Sequence, residues 1–243
     1  MTPCAANTGG NGSSVIRPIV PEQAGPVPFV YTPPPKGELP VIFADSHILV
    51  LDKPSGLLTV PGNHPDRADC LESRAREVFP TARIVHRLDM DTSGVIVLGL
   101  TIPAHAALGR QFENRQTGKR YIARTWGEMT AAEGRVEQPI ITDWPNRPRQ
   151  IIDPVRGRSA VTDWQVLAIE GGHSRVALMP LTGRSHQLRV HMAHLGHPVL
   201  GDNFYAHDEA RAASDRLCLH AQSLGFRHPA TGEKMSFESA VPF

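Results

Sequence analysis

Asp89 stands in the stretch His86-Arg87-Leu88-Asp89-Met90-Asp91-Thr92-Ser93-Gly94, which sets a carboxylate on a corner between two apolar segments. Ile84, Val85 and Leu88 lead in. Thr92-Ser93-Gly94 reads as a turn, and Val95-Ile96-Val97-Leu98 reads as a buried strand. A carboxylate held there can act as nucleophile or general base. An aspartate before Thr-Ser-Gly can equally cap turn N–H groups, and taken alone that reading is the commoner one. Asp91 raises a second possibility, a paired-carboxylate hydrolase of nucleosides or glycosides. His186, His191, His194 and His197 invite a metal reading. No Glu accompanies them as in H-E-x-x-H, and His186 and His191 do not share a helical face, so no metal site is expected.

The elements that must position these residues alternate between short strands and a few helices. Val41-Ile42-Phe43 and Ile48 to Leu51 read as a hairpin around Asp45-Ser46-His47. Helices are expected over Asp69 to Phe79 and over Pro103 to Gln116, the second with proline in its first turn. Tyr121-Ile122-Ala123 begins a strand, and Val161 to Ile169 and Arg175 to Met179 are two more. Ser185 is expected to cap a helix running to about Leu195, stopped by Gly196 and Pro198. Late strands fall at Leu217 to Phe226 and Met235 to Phe237, around a Thr231-Gly232 turn. Strands often follow one another directly, which predicts an α+β protein with a mostly antiparallel mixed sheet. Residues 1–36 are rich in Gly, Pro, Ser and Asn and read as a disordered tail; globular patterning starts near Leu39.

The chain of 243 residues has 40% hydrophobic residues and 25 Lys+Arg against 24 Asp+Glu, so it is not a polycation. Any nucleic-acid binding must come from local patches. Arg110 to Arg158 offers one, with ten Lys/Arg against six acids, although a solvated face has the same composition. Cys4, Cys70 and Cys218 form no C-x-x-C pair. With no leader pattern and no long apolar run, a soluble cytoplasmic protein is expected.

Two further stretches stand with the first: Lys119-Arg120-Tyr121 and Gly183-Arg184-Ser185-His186-Gln187-Leu188-Arg189-Val190-His191. In that order the three resemble the motifs of the RluA-family pseudouridine synthases, H-R-L-D-x-x-T-S-G, K-x-Y and G-R-(T/S)-H-Q-(I/L)-R-x-H. Lys53-Pro54-Ser55-Gly56-Leu57, Leu195 to Asp202 and Leu219-His220-Ala221 match as well, so the resemblance covers residues 38–243. The run Asp143-Trp144-Pro145-Asn146-Arg147-Pro148 resembles the small members that lack an S4 domain.

The resemblance implies one catalytic domain over residues 37–243, with helices flanking the sheet and a central RNA-binding cleft. It implies isomerisation of uridine to pseudouridine in structured RNA, without metal or organic cofactor. The implied targets are a uridine in large-subunit (23S) ribosomal RNA and one in a tRNA anticodon stem-loop. Asp89 would be the catalytic carboxylate, acting at C1′, at uracil C6 or on the C2′ proton. Burial disfavours a carboxylate's charge. The resemblance supplies a cation in Arg189, at the edge of its helix's core stripe. Tyr121 would stack on the flipped uracil and help remove its C5 proton, with Leu188 as apolar contact. Arg87 would enter the helical stack where the nucleotide leaves. Lys119 and Arg120 would position the RNA backbone. Arg147 and Arg149, in the basic segment, are expected to bind RNA. The protein would work as a monomer with RNA as partner and no membrane. Asp91 occupies a free position of the motif and is expected to be a turn residue. A non-catalytic RNA-binding relative and a carboxylate hydrolase remain the rival readings.

Overall fold

The computed structural model describes Met1 and residues 30–243; most of the expected tail, residues 2–29, lies outside the described residues. The folded unit spans Tyr31–Phe243, so it begins at Tyr31 rather than at Gly37. Polar anchors hold this added segment. The Tyr31 hydroxyl donates to the Asp69 carbonyl at 2.8 Å and accepts the Leu58 N–H at 3.1 Å. Arg74 donates to the Pro34 carbonyl at 2.7 Å, and Lys36 pairs with Glu77 at 2.6 Å.

The expected hairpin forms from Val41–Ala44 (β1) and Ile48–Lys53 (β2). Asp45 Oδ1 shapes its turn by accepting the N–H groups of His47 and Ile48 at 2.7 and 2.8 Å. Leu71–Val78 (α1) starts at a capping box between Cys70 and Ser73. After Arg83–Ile84 (β3) comes Ser93–Gly99 (β4), buried throughout. That strand corrects one expectation. Ser93 and Gly94 belong to it, and the turn lies upstream, closed by the Thr92 N–H on the Asp89 carbonyl at 3.2 Å. Ile102–Glu113 (α2) is capped by Thr101 and has proline in its first turn.

Gly118–Thr125 (β5), Glu133–Glu137 (β6), Ile140–Thr142 (β7), Gln150–Ile152 (β8), Val161–Glu170 (β9) and His173–Pro180 (β10) follow. Then come Gln187–His194 (α3), Asp208–Ala212 (α4), Leu219–Arg227 (β11) and Lys234–Glu238 (β12). The cap expected at Ser185 therefore falls one position later, at His186. His186 precedes α3 in the left-handed region, with φ 54° and no side-chain cap. Gln187 satisfies that turn instead: its Oε1 accepts the Arg184 N–H at 3.0 Å and the Thr182 hydroxyl at 2.7 Å.

The fold is α+β, as expected. The main sheet runs β1-β2-β4-β11-β5-β10-β9-β6, with β3 and β12 added at the side. All its pairings are antiparallel except β4 with β11. One core cluster contains Leu49, Leu51, Ile96, Leu98 and Leu88; another contains Ala123, Val176, Leu178, Leu188 and Met192. Tyr121 packs against both and so marks the seam between them.

The parallel contact depends on Gly94, whose φ is +115°. A Cβ there would collide with the Ala221 carbonyl oxygen. Gly94→Ala is therefore expected to destabilise the fold by about 3 kcal/mol, from strain plus overlap. Its urea midpoint against wild type checks this; an unchanged midpoint would mean the two strands separate freely.

Candidate active site

Three side chains from one segment peg the turn that carries Asp89. Thr59 Oγ1 donates to the Leu88 carbonyl at 2.7 Å, Ser55 Oγ to the Asp91 carbonyl at 2.7 Å, and Lys53 Nζ to the Met90 carbonyl at 2.8 Å. Lys53 is fully buried and also donates to the carbonyls of Pro54 and Leu57. Burial pulls its pKa down to about 7, against the charges of Asp91 and Asp89. Three carbonyls match the three protons of an ammonium. These contacts give the Lys53–Leu57 stretch a role that sequence reasoning left blank.

Held this way, the Asp89 carboxylate is free of the turn. Among the described residues its partner is the Arg189 guanidinium, with Nη1 at 3.9 Å from Oδ2, and its side chain is 29% exposed. The turn-aspartate reading is thus set aside: the backbone carbonyl of Asp89 closes the turn, and the side chain faces a cation.

Arg189 lies at 2% side-chain exposure, so it is buried and not at the edge of a stripe. Its helix α3 is buried from Gln187 through Met192, and a helix enclosed on all sides has no exposed edge. The cation is fixed by Asp202, which sequence reasoning did not single out. Arg189 Nε and Nη2 donate to the two Asp202 oxygens at 2.7 and 2.6 Å, and Nη2 also reaches Asn203 Oδ1 at 3.0 Å. Asp202 Oδ1 in turn accepts the N–H groups of Phe204 and Tyr205. The fork is saturated on one side, and Nη1 is left for Asp89. The guanidinium carbon sits 5.2 Å from both the Phe204 and Tyr205 ring centres. Burial works against the Arg189 charge, but Asp202, Asp89 and Tyr205 outweigh it and hold its pKa above the ordinary value.

Tyr121 lies on β5 opposite Ala221 and Leu178. Burial first, and then the Asp89 charge, push its phenol well above the ordinary range. The ring therefore stays neutral and offers a stacking surface. Leu188 and Leu88 are buried in the two clusters that Tyr121 bridges. Lys119, two residues from Tyr121, shares its strand face and approaches the Thr182 carbonyl at 3.4 Å. Arg120 points to the other face and donates to Gln222 at 2.6 Å, so it is not brought to the site. Arg87 is exposed beside Asp89.

Asp91 is more than a turn residue. Burial raises its pKa; Arg189 and Lys53 oppose this, and Asp202 and Asp89 add to it. Arg147 and Arg149 sit on the β7–β8 hairpin. Arg149 lies 5.8 Å from the Tyr205 ring, while Arg147 stacks 4.3 Å above Trp144, itself 68% exposed. Tyr205 ties the hairpin to the site: its hydroxyl accepts the Gln150 N–H at 2.8 Å and lies 2.6 Å from His186 Nδ1. The histidines have separate partners. His191 contacts Thr162 and the Gln138 carbonyl, and His197 contacts the Trp126 carbonyl. No group of three or more potential metal ligands occurs among the described residues.

His86, the first motif residue, is half-buried between β4 and α2. Its ring stacks on Phe112 at 4.3 Å, and Nε2 accepts the Val97 N–H at 3.2 Å. Burial, with Lys119 adding, lowers its pKa to about 3. The folded state thus binds fewer protons than the unfolded state between pH 6.5 and about 3. This stability is complete above 6.5 and is lost as pH falls toward 3. From about pH 7 to about pH 5, wild type should lose about 2 kcal/mol more than His86→Phe, by linkage. Urea unfolding of both at the two pH values checks it; parallel losses would refute a neutral His86.

The arrangement offers a held carboxylate, a buried cation, a neutral aromatic ring and an apolar wall. Residues 47–194 match the family model described as RNA pseudouridylate synthase. The chain is 52% identical over 204 residues to the dual-specificity RNA pseudouridine synthase RluA of Yersinia pestis, covering 84% of this chain and 99% of that protein. Its identity to RluA of Escherichia coli K12 is 50% over 214 residues, with 88% and 98% covered. The solved structure of human RNA Pseudouridylate Synthase Domain Containing 1 matches with a TM-score of 0.72 at 30% identity, covering 86% of this chain and 87% of that one.

Proposed function

Since the chain belongs to the RNA pseudouridine synthase family, whose members isomerise uridine to pseudouridine, we propose that Asp89 is its catalytic carboxylate and that its targets are a large-subunit ribosomal RNA uridine and a tRNA anticodon stem-loop uridine. The observation that carries the site assignment is the Arg189 fork, saturated by Asp202 and extended toward Asp89. The dual target rests on the names of the two RluA relatives.

In the reaction the N1–C1′ bond breaks, the uracil turns, and C5 bonds to C1′. The C5 proton is lost and N1 gains one, so atoms balance without an outside reactant. Asp89 serves by adding to C1′ or C6, or by taking the C2′ proton. Arg189 keeps a negative charge favourable there. Tyr121 stacks on the extruded base, Leu188 contacts it, and Arg87 enters the vacated stack. Lys119 positions backbone phosphates. The enzyme works as a monomer in the cytoplasm, without metal or organic cofactor. No helix among the described residues is long and apolar enough to cross a membrane.

Mapping pseudouridines in total RNA from cells with and without the gene tests the targets. Loss of one ribosomal and one tRNA pseudouridine is expected; loss in a single RNA class overturns the dual reading. The hairpin has its own test. Arg147→Ala with Arg149→Ala should weaken RNA binding about ten-fold and flatten its salt dependence, without lowering the melting temperature. Unchanged affinity and slope would make the hairpin a merely solvated surface.

A further inference from the structure

Four cations gather on the β5–α3 side of the site, and none has a carboxylate partner among the described residues. They are Arg115, Lys119, Arg158 and Arg184. Lys119 Nζ approaches the Thr182 carbonyl at 3.4 Å, and a Cβ on Gly183 would lie 4.0 Å from it. Arg184 Nε donates to the Ser159 carbonyl at 3.1 Å, which brings it beside Arg158. Arg115 and Arg158 are exposed. By contrast, Arg74, Arg76, Arg135, Arg156, Arg175 and Arg189 are all held by acids.

Two observations say these charges are crowded by demand. After burial, the next influence lowering Lys119 is Arg115, and those lowering Arg184 are Arg158 and Arg115. Like charges are kept together at a cost that an anion would remove. The backbone agrees. Arg115 and His186 are the only non-glycine residues with positive φ among the described residues, at 57° and 54°. Arg115 ends α2 where helices commonly place glycine, and His186 is the turn between Arg184 and α3. Strain retained where glycine would relieve it points to what the side chain does.

We propose that Arg115, Lys119, Arg158 and Arg184 form a phosphate-binding corner that grips the RNA backbone beside the extruded nucleotide. This deepens the assignment of the site to RNA and rests on it. Lys119 is two residues from Tyr121 on one strand face, about 7 Å along the strand. The corner is thus within reach of phosphates flanking a base stacked on that ring. Four donors without acids suit a phosphodiester, whose oxygens accept but cannot donate.

The test is binding of a labelled anticodon stem-loop to the full chain between about 50 and about 200 mM salt. Arg115→Gly with Arg158→Gln should weaken binding roughly ten-fold and lower the slope of log affinity against log salt by about 1.5. Arg115→Gly alone should lose part of that slope while its melting temperature holds or rises, because glycine relieves the strain. Arg76→Gln with Arg135→Gln removes the same charge elsewhere and should leave the slope unchanged. A wild-type slope in the first pair, or an equal drop in the second, overturns the corner. Pseudouridine formation by wild type is scored on the same RNA. Its absence would defeat the reaction assignment, while the slopes would still decide the corner.

Discussion

Asp89→Asn is expected to lower turnover by a factor on the order of 10⁴, with fold and RNA binding close to wild type. Tritium release from C5-labelled RNA measures it. Asparagine matches aspartate in volume, and the hydrogen bonds that shape the turn are donated by Lys53, Ser55 and Thr59 to backbone carbonyls, which the change leaves intact. What is lost is the negative oxygen facing Arg189 Nη1. Asp91→Asn is the control. Its carboxyl lies in the same charge cage, with burial raising its pKa, but it occupies a position the motif leaves free, so replacement by an amide should change turnover little. Equal losses in the two variants would revive a paired-carboxylate mechanism, and wild-type rates in Asp89→Asn would refute the assignment.

The second large effect separates support of the fold from support of the chemistry. Arg189→Met strands Asp202, which is fully buried, so stability should fall by about 3–5 kcal/mol along with activity. Adding Asp202→Asn removes the stranded charge and keeps an oxygen for the Phe204 and Tyr205 N–H groups. The double variant should recover much of the stability and none of the turnover. Asp202→Asn alone leaves Arg189 loosely aimed, and a misplacement of about 1 Å is enough for a loss of about 10²-fold in kcat. Urea unfolding and single-turnover rates on the same samples check both sides. Turnover that returned with stability in the double variant would reduce Arg189 to a structural residue.

The proposed catalytic trio was legible because each member stands inside an ordered motif. Asp89, Tyr121 and Arg189 are far apart in the chain, yet each lies within its own motif. Asp202 was not legible as a site residue. It lies thirteen positions beyond Arg189, past the end of α3, and only folding back places its two oxygens on the guanidinium. The depth of Arg189 was misread for a related reason. Periodicity reveals a helix with one buried face, whereas α3 is enclosed, and polar Gln187 and His191 serve as its internal ties to β9. Alternation along a strand, known only once β5 is fixed, turned Arg120 away while keeping Lys119. The hairpin and late strands were read well because turn residues bound them. Strands β6, β7 and β8 are short and weakly patterned, and they escaped notice.

β11 occupies the middle of the sheet although it is made nearly last. It lies between β4, which follows Asp89, and β5, which carries Tyr121. At its start Ser93 Oγ meets His220 Nδ1 at 2.8 Å, and Arg216 reaches the same hydroxyl at 2.7 Å. During vectorial synthesis every side chain proposed for the site therefore leaves the ribosome before the strand that aligns them. A nascent chain released up to Leu217 contains Asp89, Tyr121, Arg189 and Asp202 but has no shared sheet to hold the first two in register. Domains form largely as units while synthesis proceeds, and pairings distant in sequence close late. Competence thus arrives in one step with the final strands.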